Sequence, residues 1–282
     1  MKIIVLGSTG LAGRFISNYL EDNYHKVVRL NRDHFDASLP HGGDTFKSYI
    51  LNTIEPNDVV INCVGILKPQ IKEVGEYVTF TVNTLFPSIV YDACKLNGAQ
   101  FIHLCSDCVF KGDEGNYNES HLCDGTDTYA KTKSRMKCGT IIRTSFIGED
   151  GGLMKWVLDN RWGLVDGYTN CIWNGITVLQ LAKLIICIIR KEAYWEGVRH
   201  YSSAAPVSKH DLIHLINETY SLNISIVPTE ADSIEGTIIP VGTTLDRSLS
   251  SIHAPVMQPT HIKQQLLQLY EYSKQSQRMG ST

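Results

Sequence analysis

An apolar run from Lys2 to Leu6 leads into Gly7-Ser-Thr-Gly10-Leu-Ala-Gly13, and helical spacing of apolar residues holds from Leu11 to Leu20. A short strand that is apolar on both faces belongs inside a parallel sheet, covered above and below. The spacing gives each glycine a task. Gly7 permits the tight turn out of the strand, Gly10 lets a pyrophosphate approach the backbone, and Gly13 lets the helix pack closely on the strand. The helix that follows turns its free N–H groups toward those phosphates. A Walker-type loop is excluded, because no Gly-Lys-Ser/Thr ending is present. Gly7, Ser8, Thr9, Gly10, Leu11 and Ala12 are therefore the expected seat of a dinucleotide.

The rest of the first half repeats the theme. Val27–Leu30, Val59–Asn62, Phe101–Cys105 and 139–143 are further short apolar runs separated by helical stretches. Strands alternating with helices predict an α/β fold, a Rossmann-type doubly wound parallel sheet. The expected dinucleotide-binding domain covers residues 1–143, with segments near 171–203 and 237–250 returning to it. The remainder of 144–282 forms a smaller substrate-binding lobe. In that lobe the pattern predicts a helix around 153–158, a capping box at Thr177 opening a helix to Arg190, and a return to the sheet near 198–202. Ser208 is expected to cap a helix to Tyr220, 228–240 to form a long excursion, and the tail after Tyr272 to fray.

At the end of the second strand stand Asn31 and Arg32, where an acid would bind a free ribose 2′-hydroxyl and repel a 2′-phosphate. Their presence favours NADPH, with NADH the alternative; Asp36 is placed to border the adenine. The formal net charge is -3 with no basic patch, so nucleic-acid polymers are not expected partners. No run approaches a membrane span, and the first strand starts too early for a signal peptide, so the expected location is the cytoplasm. Of the eight cysteines, Cys63 and Cys105 in strand patterns and Cys94 and Cys187 in helical ones read as small buried hydrophobes. Cys105-Ser-Asp-Cys108 has zinc-type spacing, but Cys123 and Cys138 do not complete it, and no metal is expected.

The chemistry is concentrated at Tyr129-Ala-Lys-Thr-Lys133, downstream of Ser106, which ends an apolar strand. Positions i and i+4 share a helix face, so the Lys133 ammonium is expected beside the Tyr129 ring, lowering the pKa of its phenol. Ser106 can hold the same carbonyl oxygen that Tyr129 protonates. Such a set suits hydride chemistry at a ketone. Tyr91/Lys95 and Tyr270/Lys274 repeat the spacing, but only Tyr129 follows a strand ending in a hydroxyl, where open α/β sheets place their ligands.

Taken together the motifs resemble the extended short-chain dehydrogenase/reductase family, most of all its dTDP-4-dehydrorhamnose reductase branch. The resemblance runs through the glycine loop, Asn62-Cys63-Val64-Gly65, Val82-Asn83, Cys105-Ser106-Asp107-Cys108-Val109-Phe110, Tyr117-x-Glu119, Tyr129-x3-Lys133 and Ile142-Arg143-Thr144-Ser145. It continues in Trp173-Asn-Gly-Ile-Thr177 and Asp246-Arg-Ser-Leu249. It implies NADPH-dependent reduction of the C4 ketone of a dTDP- or UDP-linked 4-keto-6-deoxyhexose, in deoxysugar biosynthesis, by a monomer or homodimer. Tyr129 would protonate the oxygen, Ser106 would hydrogen-bond it, and Lys133 would tune Tyr129 and hold the nicotinamide ribose. Cys63, Val64, Gly65 and Asn83 join the cofactor site, with Asn83 read as a helix N-cap or a site support. Asp107, Cys108, Arg143, Lys155 and Trp173 join Ser106 in the substrate site, Arg143 alternatively forming a structural ion pair. Two other functions are carried forward. One is a 3,5-epimerase/4-reductase using Cys108 with Lys155; the other is a dinucleotide-binding regulatory subunit without turnover.

Overall fold

The apolar runs pair in one six-stranded, wholly parallel sheet: β1 (Ile3–Leu6), β2 (Val27–Leu30), β3 (Val59–Asn62), β4 (Gln100–Cys105), β5 (Thr140–Arg143) and β6 (Gly197–His200). The spatial order is β6-β5-β4-β3-β1-β2. The computed structural model describes residues 1–24, 26–39, 52–234 and 236–279. Strand order reverses between β1 and β3, and a crevice at the carboxyl ends of strands flanking such a reversal is where this architecture binds ligands. The glycine loop leaves β1 there, and Asn62-Cys63-Val64-Gly65 leaves β3 opposite it.

Alternation along the strands explains the two cores. Ile3 and Val5 face α1 (Leu11–Glu21) and a later helix, burying Ile16, Leu20, Leu184, Ile185 and Ile188 between them. Ile4 and Leu6 point the other way, onto Phe86, Val90 and Cys94. Each fully buried aliphatic side chain of this kind contributes about 1.5–3 kcal/mol before the entropy of ordering is charged against it. On the second face the chain forms α2 (Lys68–Phe80), a π-helical turn (Thr81–Leu85) and α3 (Phe86–Leu96) as a nearly continuous run. The short α4 (Thr128–Lys133) precedes β5.

The later half contains α5 (Gly152–Asp159), α6 (Val178–Arg190), α7 (Lys209–Tyr220) and α8 (Ile262–Met279). Met154, Val157, Leu212, Ile216, Leu266 and Leu269 make a third core among α5, α7 and α8. Cys171–Trp173 lies between Val207–Ser208 and Leu245–Asp246 in a separate three-stranded sheet.

Three local expectations change. Ser225–Thr229 is a strand paired in parallel with Leu164–Tyr168, and Pro228 is tolerated because a two-stranded pair leaves each strand one open side. The tail continues as helix, anchored by the Tyr272 hydroxyl donating to Asp22 (3.0 Å) and Ser273 donating to Glu149. Thr177 does accept the Gln180 N–H (3.3 Å), but its own N–H is met by Gln265 of α8 (3.0 Å), so a distant helix completes the cap.

Candidate active site

Gly7 has φ +77° and a Cβ there would meet Val64 at 3.0 Å, so the loops leaving β1 and β3 touch only because this residue is glycine. Gly13 is demanded by packing, since a Cβ would lie 2.1 Å from the Gly7 carbonyl oxygen. Gly10 differs. A Cβ there would rest at an ordinary 3.5 Å from the same oxygen, so the fold itself does not require glycine. Gly10 precedes α1 without a side-chain cap, and no acid occupies the first turn of the helix. An open cradle in front of uncapped N–H groups fits a dinucleotide pyrophosphate. Ser8 and Ala12 are buried behind the loop, Thr9 is exposed, and Leu11 packs toward 148–151.

At the end of β2 the Asn31 side chain accepts the Asp33 N–H (3.0 Å) in a local turn. Arg32 is exposed, and Asp36 lies within its electrostatic reach. Hydrogen bonds from the Ser38 backbone and hydroxyl hold the Asp36 carboxyl below its usual range, with Arg32 adding to them. Arg32 thus stands exposed just after β2, and Asn31 shapes the turn that carries it.

The loop after β3 is built from amides. Asn62 accepts the Val64 N–H (3.0 Å) and donates to His103 Nδ1 (3.1 Å). Asn83 is fully buried, accepts the Ile66 N–H (2.8 Å), and donates to Ile66 O (3.1 Å) and to Thr132 Oγ1 (3.3 Å). Asn83 is therefore not a helix N-cap. It sits inside the π-helical turn and ties the loop after β3 to the helix carrying Tyr129.

That helix is only six residues long, and its position is imposed from outside. Asp127 caps it by accepting the Ala130 N–H (2.7 Å) and pairs with Lys68 of α2 (2.8 Å). Thr128 donates to Glu76 (2.6 Å), and Thr84 donates to the Thr132 carbonyl (2.9 Å). Tyr129 and Lys133 are both buried. The Ser106 hydroxyl stands close enough to the Tyr129 phenol to favour its ionised form. It also accepts the Cys108 N–H (3.1 Å) and lies 3.1 Å from the buried Asp107 carboxyl.

The electrostatics differ from the expectation drawn from spacing. Burial drives the Tyr129 phenol well above its ordinary value, Cys108 adds to the rise, and only the Ser106 hydrogen bond opposes it appreciably. Lys133 is not among the leading influences on it; its ammonium is turned onto the Leu104 carbonyl (3.0 Å), beneath Gly65, where a Cβ would come within 3.4 Å of it. Burial pushes the Lys133 amine down. Desolvation pushes the neighbouring Cys63 thiol up to about 12, with Lys133 opposing. The site thus presents a phenol held in its protonated form by burial, with a serine hydroxyl beside it, at the carboxyl end of β4.

Three expected substrate residues have protein partners of their own. Arg143 is buried, with no carboxylate ion pair among the described residues; it lies over Phe110 (5.2 Å) and 3.1 Å from His200 Nε2. His200 Nδ1 faces the carbonyls of Ser250 (2.9 Å) and Tyr117 (3.1 Å), so it carries the proton and Nε2 accepts from Arg143. Trp173 is buried, donates to Ser145 (2.8 Å) and carries Lys209 over its ring, which makes it a packing residue. Lys155 is exposed on α5 and pairs with Asp159 (2.8 Å). The cation beside Cys108 is instead Arg247, with Nη1 at 3.9 Å from the sulfur.

Arg247, His200, Lys68 and Asp127 were assigned no role from sequence. Asp127 was findable as an N-cap three residues before Ala130, and Arg247 lies in a quoted motif. Glu119, from another motif, accepts the His200 N–H (2.8 Å) and the Ile252 N–H (2.9 Å), fastening β6 to the late chain. Among the described residues, no cluster of three or more His, Cys, Asp or Glu side chains could hold a metal, and no helix is long and apolar enough to cross a membrane.

Residues 1–146 match the family model described as the RmlD substrate binding domain. A dTDP-4-dehydrorhamnose reductase of Mycobacterium tuberculosis (strain CDC 1551 / Oshkosh) is 25% identical over 152 residues, covering 54% of this chain and 45% of the relative. Methionine adenosyltransferase 2 subunit beta of Pongo abelii is 25% identical over 142 residues, covering 47% of this chain and 40% of the relative. The chain thus spans about half the length of the curated relatives it matches or somewhat less. Its fold is shared with dTDP-4-dehydrorhamnose reductase of Bacillus anthracis str. Ames in complex with NADP, at TM-score 0.76 and 17% identity over 96% of this chain and 99% of that one.

Proposed function

The chain belongs to the RmlD substrate binding domain family, and from that premise we propose that it reduces the C4 ketone of a nucleotide-linked 4-keto-6-deoxyhexose with NADPH. The observation that carries the reading is the half-buried Ser106 beside the buried Tyr129 at a strand end, with an open glycine cradle after the first strand. Gly7–Gly13 would hold NADPH, with Arg32 toward its 2′-phosphate, and the cofactor would supply the hydride.

The protein's part is to bind and polarise the ketone and to deliver one proton. Ser106 Oγ donates a hydrogen bond to the ketone oxygen and keeps it against Tyr129. As C4 becomes tetrahedral, negative charge gathers on that oxygen, and the Tyr129 hydroxyl gives up its proton there. A phenol raised by burial stays protonated at neutral pH, which is the form that reduction needs. Asn83 keeps the loop after β3 and the Tyr129 helix in register. Lys133, fixed beneath Gly65, places a positive charge under the cofactor side of the site.

The similarity to a protein named as a subunit supports a second reading, a dinucleotide-binding subunit without turnover. Against it stands the Ser106–Tyr129 pair, which binding alone does not use. For epimerisation by Cys108 with Lys155, the lysine lies exposed on α5 in an ion pair with Asp159, and the cation within 3.9 Å of the Cys108 sulfur is Arg247. The test is a panel of UDP-, dTDP- and GDP-linked 4-ketosugars with NADPH or NADH, followed by loss of reduced-nicotinamide absorbance. Ketone-dependent NADPH oxidation with at least one sugar supports the reductase. Tight NADPH binding without oxidation in any combination supports the subunit reading and rejects the proposal.

A further inference from the structure

Asp246-Arg-Ser-Leu249 docks onto the segment that follows Ser106. Asp246 N donates to Gly112 O (2.7 Å), Tyr117 N donates to Ser248 O (2.8 Å), and Asn116 N donates to Ser248 Oγ (2.9 Å). Two glycines in that segment exist to admit the motif. A Cβ on Gly112 would lie 2.6 Å from Leu245 and 3.0 Å from Arg247 Cγ, and one on Gly115 would lie 2.4 Å from the Asp246 carboxylate. Asn174 adds a clamp from below, bonding both the N–H (2.8 Å) and the carbonyl (2.7 Å) of Leu249.

The docked motif places one side chain against the catalytic turn. Arg247 Nε donates to Phe110 O (2.9 Å), Nη2 donates to Lys111 O (3.4 Å) and to Thr237 Oγ1 (3.1 Å), and Nη1 lies 3.9 Å from Cys108 Sγ. None of the ion pairs among the described residues involves Arg247. Its donors go to the end of a three-residue 3-10 turn, Asp107–Val109, which is too short to hold itself. The middle residue of that turn, Cys108, sets the rotamer of Ser106, because Ser106 Oγ accepts the Cys108 N–H (3.1 Å). On its other side the turn is held by Gly125 N donating to Val109 O (2.9 Å), and Gly125 packs on Ala130 beside Tyr129.

We infer that Arg247 is a positioning residue for the reaction: its planar fork on Phe110 and Lys111 fixes the turn that aims the Ser106 hydroxyl at Tyr129. The inference rests on the reductase reading. A lysine keeps the charge and the aliphatic stem but cannot place three donors in one plane, so charge and geometry are separable. Arg247→Lys and Arg247→Gln are compared with the unaltered protein for kcat, KM of the ketosugar, NADPH affinity and thermal midpoint. Both should lose kcat by roughly 10- to 100-fold, the cost of a small misplacement at a reacting centre, with NADPH affinity nearly unchanged. Wild-type kcat in Arg247→Lys would overturn the inference, as would a loss of NADPH affinity in step with kcat.

A second readout does not depend on turnover. Alkylation of Cys108 by iodoacetamide, followed by peptide mass spectrometry across pH, reports the guanidinium beside the sulfur. Arg247→Gln should move the profile of that one cysteine to higher pH, leaving Cys138 unmoved. Coincident Cys108 profiles in the two proteins would sink the proposed placement of Arg247 even if no ketosugar were turned over; lack of turnover with a shifted profile would sink the reductase reading alone.

Discussion

Gly10 and Gly13 belong to one motif, yet the structure separates what each is for. A Cβ on Gly13 would sit 2.1 Å from Gly7 O and 2.8 Å from Gly7 C, both backbone atoms with no side-chain freedom to swing away. A normal carbon–oxygen contact needs about 3.4 Å, so α1 or the loop must retreat by more than ~1 Å. Ala12, Ile16 and Leu20 fasten α1 to the sheet and resist that shift. Overpacking of this kind costs about 1–3 kcal/mol, and at a few degrees per kcal/mol Gly13→Ala should melt roughly 4–8 °C below the unaltered protein. Gly10 has φ -72°, an ordinary value, and its Cβ would touch only Gly7 O at 3.5 Å. Gly10→Ala should therefore melt within a degree or two of the unaltered protein while losing NADPH affinity by about 10-fold or more, because the methyl group occupies the pyrophosphate's approach. Differential scanning calorimetry and a fluorescence titration with NADPH measure the two effects independently. Unaltered NADPH affinity in Gly10→Ala, or an unshifted melt in Gly13→Ala, would refute the assignment of roles.

Asn83→Ala leaves the buried Ile66 N–H without its acceptor and should cost about 1–3 kcal/mol by urea unfolding, with lower kcat from a displaced Tyr129 helix. His200 is pushed down to about 4, mainly by burial and then by Arg143. A depressed base lends stability that is fully present above its unfolded value, about 6.5, and is lost as pH falls through the folded one. Urea midpoints should therefore decline between those two pH values, and His200→Gln should flatten that part of the curve. Lys155→Ala should leave turnover nearly unchanged and shift stability by no more than about 0.5 kcal/mol, since its partner is an exposed Asp159 one helical turn away; a large loss of turnover would return Lys155 to the site.

Patterns that act locally were legible in the sequence. The strands, the glycine loop and the helix carrying Tyr129 follow from apolar periodicity and turn residues, and β1–β6 appear where those patterns place them. Side-chain partners distant in sequence were not legible. Val82-Asn83 reads as a helix start because asparagine caps helices, but its amide is taken by Ile66 and Thr132, 17 and 49 residues away. Arg143 at a strand end suggests a ligand, until His200, 57 residues on, supplies an acceptor. Lys133 shares a face with Tyr129, as spacing requires, yet its flexible stem carries the ammonium to Leu104 O. Spacing fixes where a side chain begins, whereas burial and acceptors elsewhere decide where its charge ends.

The central claim is that Tyr129 gives its proton to the ketone oxygen. Tyr129→Phe removes that proton while keeping the ring that fills the site. With the best 4-ketosugar from the panel, single-turnover NADPH oxidation should slow by about 100- to 10,000-fold, with NADPH affinity nearly unchanged. Oxidation at a rate comparable to the unaltered protein would contradict the account.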